Sequence, residues 1–349
     1  MFIRVAFNRK HLNSILLAPL KISCLASIRA YVVRKSVYLL LTLVAVATVN
    51  FVIFIMMPGD PIVILAQSAR LRPEQIERLI ELYGLRKPLL EKYVLYLRNM
   101  LTFNFGYSYY TKNAVWDDIL GRLPETLMLV GVSVLLSIVI GVALGVLAAE
   151  KRGSLADKLV LFFGLSGYAL PGWWIGLILL TIFGYGLGLF PLRGSVTIPP
   201  PTDAIGILLD RLWHMVLPVT ALTVTGFGGP ALVTRNQLLD VMTEDFVVVL
   251  RAKGLSQRDI MYKHALKNVL PPLITITAIS FAFVLVGAMI TEGIFSWPGL
   301  GLYIVQAIGV NDYPTLQGVF FLVATLVVLA NYIADLLYAV VDPRIELIG

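Results

Sequence analysis

Charged residues are absent from six long stretches of this chain, and their spacing predicts its architecture. Ser36 to Met57 runs 22 residues without a charge, long enough to cross a hydrocarbon core. Thr126 to Ala149 is the second run, with Gly131, Gly141 and Gly145 offered as a close-packing side. Leu159 to Leu192 is uncharged for 34 residues, too long for one untilted span, and Pro171-Gly172-Trp173-Trp174 interrupts it. Such a break leaves backbone groups unpaired, which is tolerable only beside protein or a wet cavity. Met215 to Thr234 contains Pro218 and the flexible run Gly226 to Pro230, with Trp213 as an interfacial anchor before it. Asn268 to Thr291 and Tyr313 to Ala334 complete the set. The pattern predicts an all-α polytopic membrane protein with six transmembrane helices.

The polar stretches between them differ in kind. Residues 1–35 hold seven Lys or Arg and no acid. A cytoplasmic or interfacial extension is expected there, although the basic start and apolar core also fit a signal peptide. Residues 58–125 are long enough for a small external helical region. Within it, Pro73 to Tyr83 reads as a helix stopped by Gly84, and Pro88 to Leu101 as a second with Leu89, Tyr93, Leu97 and Met100 on one face. Asp117 and Asp118 are read as a solvated face rather than a catalytic pair. Glu150 to Lys158 is a short basic turn, and Phe190 to Pro201 a proline-rich external loop. Asp245 to Pro272 is the longest polar interruption in the C-terminal half and carries five Lys or Arg against two Asp. A net basic connection of this kind belongs on the cytoplasmic side. It reads as two short helices broken at Gly254, which can take the positive φ that ends a helix.

Composition agrees with a membrane protein. The 349 residues are 58% hydrophobic and 14% charged, against about 25% charged in soluble domains. The formal charge of +7 belongs to membrane-side loops and calls for no nucleic acid. One cysteine, Cys24, excludes an internal disulfide framework, and His11, His214 and His264 lack metal-ligand spacing. No GxxxxGK[ST] loop is present, so any ATP must be bound by another chain.

Several landmarks carry a resemblance. Arg251 to Leu255 reads RAKGL and Lys263 to Pro272 reads KHALKNVLPP. This stretch resembles the EAA loop of ABC importer permeases, in the version found in the dipeptide/oligopeptide/nickel family. Val248-Val249-Leu250 stand where the name-giving Glu-Ala-Ala would be, and Lys267 replaces a proline that comes later, at Pro271. The PGDP corner (Pro58 to Pro61), NFGYS (Asn104 to Ser108), RLPETL (Arg122 to Leu127), EGIFSWPGLG (Glu292 to Gly301), NDYP (Asn311 to Pro314) and the closing Asp342-Pro343-Arg344 are similar to that family too. The likeness runs from about Tyr31 to Arg344. One departure is Asn104, where the family has an acid.

What the resemblance implies is a division into a basic extension (1–35), a first transmembrane helix (36–57), an external helical region (58–125), a permease core of five helices (126–341) and a cytoplasmic tail (342–349). Both termini would be cytoplasmic. The loop between the fourth and fifth spans would dock in a groove of an ATP-binding subunit. Its contacts would come from Arg251, Ala252, Lys253, Gly254, Leu255, His264, Leu266, Asn268 and Pro271, with Gly254 shaping the turn and Leu255 as an apolar knob. Pro171, Trp173, Trp174, Glu292 and Trp297 are candidates for the translocation path or its gate. The competing readings are an interfacial belt for the tryptophans and a water-reaching helix end for Glu292. Asp335, near the cytoplasmic end of the last span, is expected to cap or pair locally. Expected partners are a similar second permease, two ATP-binding subunits holding ATP and Mg, and an external substrate-binding protein, all within a lipid bilayer. No cofactor or metal is expected in this chain, and no chemistry. Di- or oligopeptides are the implied cargo, with oligosaccharides and nickel as alternatives. An ion-coupled carrier, the alternative of another class, would favour internal repeats and mid-membrane charges, neither of which is evident.

Overall fold

The computed structural model describes residues 9–55, 73–82 and 87–341. The PGDP corner, Gly84, the closing Asp342-Pro343-Arg344 and the tail 342–349 lie outside those residues. Helix α1 runs from Arg9 to Ile55, and its apolar window is Tyr31 to Phe54. Two short helices follow, α2 (Pro73–Leu82) and α3 (Leu89–Leu101). The face expected on α3 is largely present: Met100 is buried and Tyr93 and Leu97 half-buried, while Leu89 is exposed and Tyr96 takes its place inside. Tyr93 and Tyr96 set their rings against Phe51, 5.1 and 5.2 Å between centroids, so α3 lies along the end of α1.

Helix α4 (Val115–Glu150) starts well before the second uncharged run and passes through Pro124 without ending. Helices α5 (Leu155–Ala169) and α6 (Gly172–Leu179), the latter continued by a wider turn to Gly186, take up the interrupted third stretch. Leu170 is extended at φ −97° and ψ 130°, as a residue before proline prefers. The two helices consequently bend by 103°. Helices α7 (Ala204–Gly226) and α8 (Gly228–Val241) form the fourth apolar element, separated at Phe227. Helix α9 (Asp245–Ala252) and a series of short turns lead into α10 (Leu270–Phe295). Helix α11 (Leu300–Gly309) then precedes α12 (Tyr313–Val341). Among the described residues, five helices are long and apolar enough to cross a membrane, or up to six if the bent pair is one span. The chain is thus a multi-pass membrane protein whose named elements, among the described residues, are all helical.

Helix α4 is central and packs most extensively on α8. A Cβ on Gly141 would stand 2.6 Å from the carbonyl of Phe227, and one on Gly145 would stand 2.5 Å from that of Ala231. Only glycine allows the backbones this close. Gly131 is different: it is exposed and a Cβ there meets nothing.

Two ends of the bundle can be told apart. At one end, the start of α4, the end of α10, α11 and the start of α12 meet. At the other lie Glu150 of α4, the α8–α10 connection and Asp335 of α12. Lys35 on α1 reaches Asp335 at 2.7 Å, and Ser36 pairs with Tyr332 at 2.8 Å. Asp335 is therefore paired, but across helices with α1 rather than locally.

Candidate functional site

The connection between α8 and α10 is built around one backbone reversal. Val247 is buried and anchors α9, leaving Val248 and Val249 exposed. Helix α9 stops because Gly254 adopts φ +83°, the left-handed region that favours glycine. The amide of Gly254 donates to the carbonyl of Arg251 at 2.9 Å. Ser256 then starts the next helical turn, its hydroxyl accepting from the amide of Asp259 at 3.1 Å in the usual N-cap manner. Met261, Ala265 and Val269 are buried against Val146, Ala149, Leu238 and Val241, which seats the connection on α4 and α8. Arg251, Ala252, Lys253, Gly254, His264 and Asn268 are consequently exposed, and Leu255 is half-buried at the turn. Leu266 instead packs inward on the same apolar cluster. Pro271 is half-buried at the start of α10, where its missing N–H removes no helical bond.

Polar ties fasten this end. Arg258 donates to Glu150 at 2.7 Å and the hydroxyl of Tyr262 to the same carboxylate at 3.2 Å. Asp157 is buried and takes a two-pronged bond from Arg235, at 2.6 and 2.9 Å, plus the amide of Gly153 at 2.8 Å. Glu150 and Asp157 stood in what the sequence offered only as a basic turn.

A cavity of about 280 Å³ opens where the α5–α6 bend faces α7 and α10. Its walls include Gly167, Gly172, Thr225, Gly226, Ser280 and Gly287, and no lining residue is ionisable. This is the setting anticipated for the broken third stretch. Pro171 sits between the lining residues Leu170 and Gly172. Trp173 and Trp174 are 40% and 44% exposed and are not part of the lining.

Glu292 and Trp297 are elsewhere. Glu292, a candidate for the path with a water-reaching helix end as its competing reading, is fully buried and does not line the cavity. Its Oε2 accepts from the amide of Gly301 at 2.6 Å, and a Cβ on Gly299 would collide with its carboxylate. Trp297 is also fully buried, and its Nε1 donates to the carbonyl of Glu125 at 3.2 Å. The amide of Leu300 donates to the Thr126 hydroxyl at 2.8 Å. The reason is the reversal at Ser296, φ +51°, which folds the segment after α10 back onto α4.

Asp118 is a second correction. Asp117 is exposed as expected, but Asp118 is buried. It accepts from the hydroxyls of Tyr303, at 2.8 Å, and Thr111, and from Asn113 at 3.2 Å. Burial pushes the Tyr303 phenol up to about 12, so it stays protonated and donates. Nearby, Asp312 accepts from Ser108 at 2.5 Å and Thr315 at 2.9 Å. The NFGYS, RLPETL, SWPGLG and NDYP landmarks thus meet in one knot at this end.

Comparison with known proteins follows the same lines. The family described as "Binding-protein-dependent transport system inner membrane component" matches residues 141–347, and the N-terminal component of such systems matches residues 28–130. The di/tripeptide transport system permease protein DppB of Pseudomonas aeruginosa is 37% identical over 331 residues, covering 91% of this chain and 98% of that protein. The oligopeptide transport system permease protein AppB of Bacillus subtilis is 36% identical, covering 91% and 99%. The dipeptide transport system permease protein DppB of Escherichia coli is 32% identical, covering 90% and 98%. In structure, a chain of the inward-facing MetNI methionine ABC transporter shares the fold, with a TM-score of 0.50 at 21% identity over 64% of this chain and 96% of that one. The chain belongs to the family of binding-protein-dependent transport system inner membrane components.

Proposed function

We propose that this chain is the permease subunit of an ATP-driven ABC importer for di- and oligopeptides. The observation that carries the reading is the exposed turn at Gly254, seated on α4 and α8 and flanked by the free surfaces of Val248, Val249, Arg251 and Lys253. A rigid polar-and-apolar knob at the end of a helical bundle suits a groove in an ATP-binding subunit. The relatives described above are permeases of peptide transport systems, which favours peptides over oligosaccharides or nickel.

In this reading the bent α5–α6 pair counts as one of six spans. The Gly254 end and both termini face the cytoplasm, while α2, α3 and the knot of landmarks face outward. A second, similar permease supplies the other half of the path. Two ATP-binding subunits hold ATP and Mg, and an external binding protein delivers the cargo. The chain itself is not an enzyme. Closure of the ATP-binding subunits pushes on the α9 turn, and the seating on α4 and α8 passes that movement to the helices around the cavity. Pro171 contributes by holding the bend open. Trp173 and Trp174 contribute as exposed aromatics beside it. An ion-coupled carrier would need ionisable groups along its path, and the cavity lining offers none.

Substituting Gly254 by valine tests the reading. A β-branched side chain at positive φ is strained, yet a Cβ there meets no neighbour. The strain falls on an exposed turn outside the packed helices, so membrane insertion is expected to persist while ATP-driven peptide uptake is lost. Normal uptake by the variant would refute the docking role.

A further inference from the structure

The four glycines around the cavity are of two kinds. A Cβ on Gly167 would stand 2.7 Å from the carbonyl of Val224, and one on Gly226 would stand 2.6 Å from the Ser137 hydroxyl. Those two are glycine because helices touch there. Gly172 and Gly287 are not. A Cβ on Gly172 would meet Thr225 at 3.4 Å, and one on Gly287 would meet only Leu222, at 3.9 Å. Both are ordinary contacts, and neither residue has a positive φ. Gly287 also lies in the middle of α10, where glycine is less favourable than alanine. Neither packing nor backbone geometry accounts for its missing side chain.

What the missing side chains do is leave room. Ile276, Ser280, Val284 and Gly287 recur at helical spacing along the α10 face of the cavity. Ser280 is 9% exposed, lines the cavity and makes no hydrogen bond among the described residues. The Ser280 residue is nine-tenths enclosed while its hydroxyl opens onto the cavity, so an entering polar group finds a free donor and acceptor there. Thr225, by contrast, already donates to the carbonyls of its own helix.

We propose that Gly172 and Gly287 set the size limit of the cargo passing this chain, beside Ser280 as an uncharged hydrogen-bonding contact. The proposal rests on the importer reading above. A cargo of backbone amides and small side chains fits such a wall: it can bond to a hydroxyl, and it meets no fixed charge.

The test uses the complete importer, reconstituted in proteoliposomes, with alanine oligomers of two to five residues as cargo. Gly287→Ala, Gly287→Leu and Gly172→Ala are compared with the unaltered chain. The expected result is a graded loss in which the longest oligomer falls first, by about tenfold with leucine at 287, while dialanine uptake stays near its original rate. Gly287→Ala carries the test if the leucine variant fails to assemble. Uptake unchanged at every length, or falling equally at every length, would overturn the proposal while leaving the importer intact. Absence of ATP-driven uptake by the unaltered complex would instead overturn the importer reading and the proposal with it.

Discussion

Glu292 and Trp297 occupy the kind of position where a carboxylate or an indole usually reaches the membrane surface. Both are enclosed because Ser296 reverses the chain directly between them. No residue pattern announces that reversal: serine at positive φ is held by its surroundings rather than by its own preference. Replacing Trp297 by alanine is expected to cost about 3–5 kcal/mol of stability, as for other large buried aromatics. A lowered thermal midpoint in detergent would show it. A residue of the path would instead alter uptake with the midpoint unchanged. Gly254 is the opposite case. Its conformation was legible because few residues other than glycine end a helix in this way, and the apolar spacing on either side already marked two short helices. Asp118 was not legible, since only tertiary packing brings Tyr303 and Asn113 to it.

At the scale of elements, periodicity served best where helices are short and amphipathic. Helices α2 and α3 begin and end within a residue or so of where caps and prolines put them. It served less well for α4, which extends past the uncharged run to Val115. Loss of charge marks the width of a membrane, not the length of a helix, and α4 continues beyond it through Asp118 and Arg122. Glycine content alone also cannot separate a contact from a free surface. Gly145 meets the α8 backbone while Gly131 meets nothing. Gly145→Val is therefore expected to separate α4 from α8 and abolish stable insertion, whereas Gly131→Val should express and fold normally. Comparable yields of folded protein from both would contradict the close packing described here. The cavity is a further case: its walls come from three separated stretches of chain, so the broken third stretch pointed to it without naming Ser280 or Gly287.

At the scale of the whole molecule, contacts sort the polar segments to two ends. Lys35 with Asp335, Arg258 with Glu150 and Arg235 with Asp157 hold one end, and the Asp118 and Asp312 networks hold the other. The exposed pairs among them are worth little individually, so their meaning is positional: Arg258 ties the Gly254 connection to α4, Arg235 ties α8 to α5, and Lys35 ties α1 to α12. In the proposed function, that arrangement would pass a push at one surface to the helices around an uncharged cavity. The central claim is thus that ATP hydrolysis elsewhere drives peptide passage here. It is tested most directly by reconstituting the chain with a second permease and ATP-binding subunits and measuring ATPase activity with and without peptide-loaded binding protein. The account predicts stimulation by the loaded binding protein, lost in Gly254→Val. Failure of any such complex to form, with peptide uptake following a proton or sodium gradient instead, would contradict it.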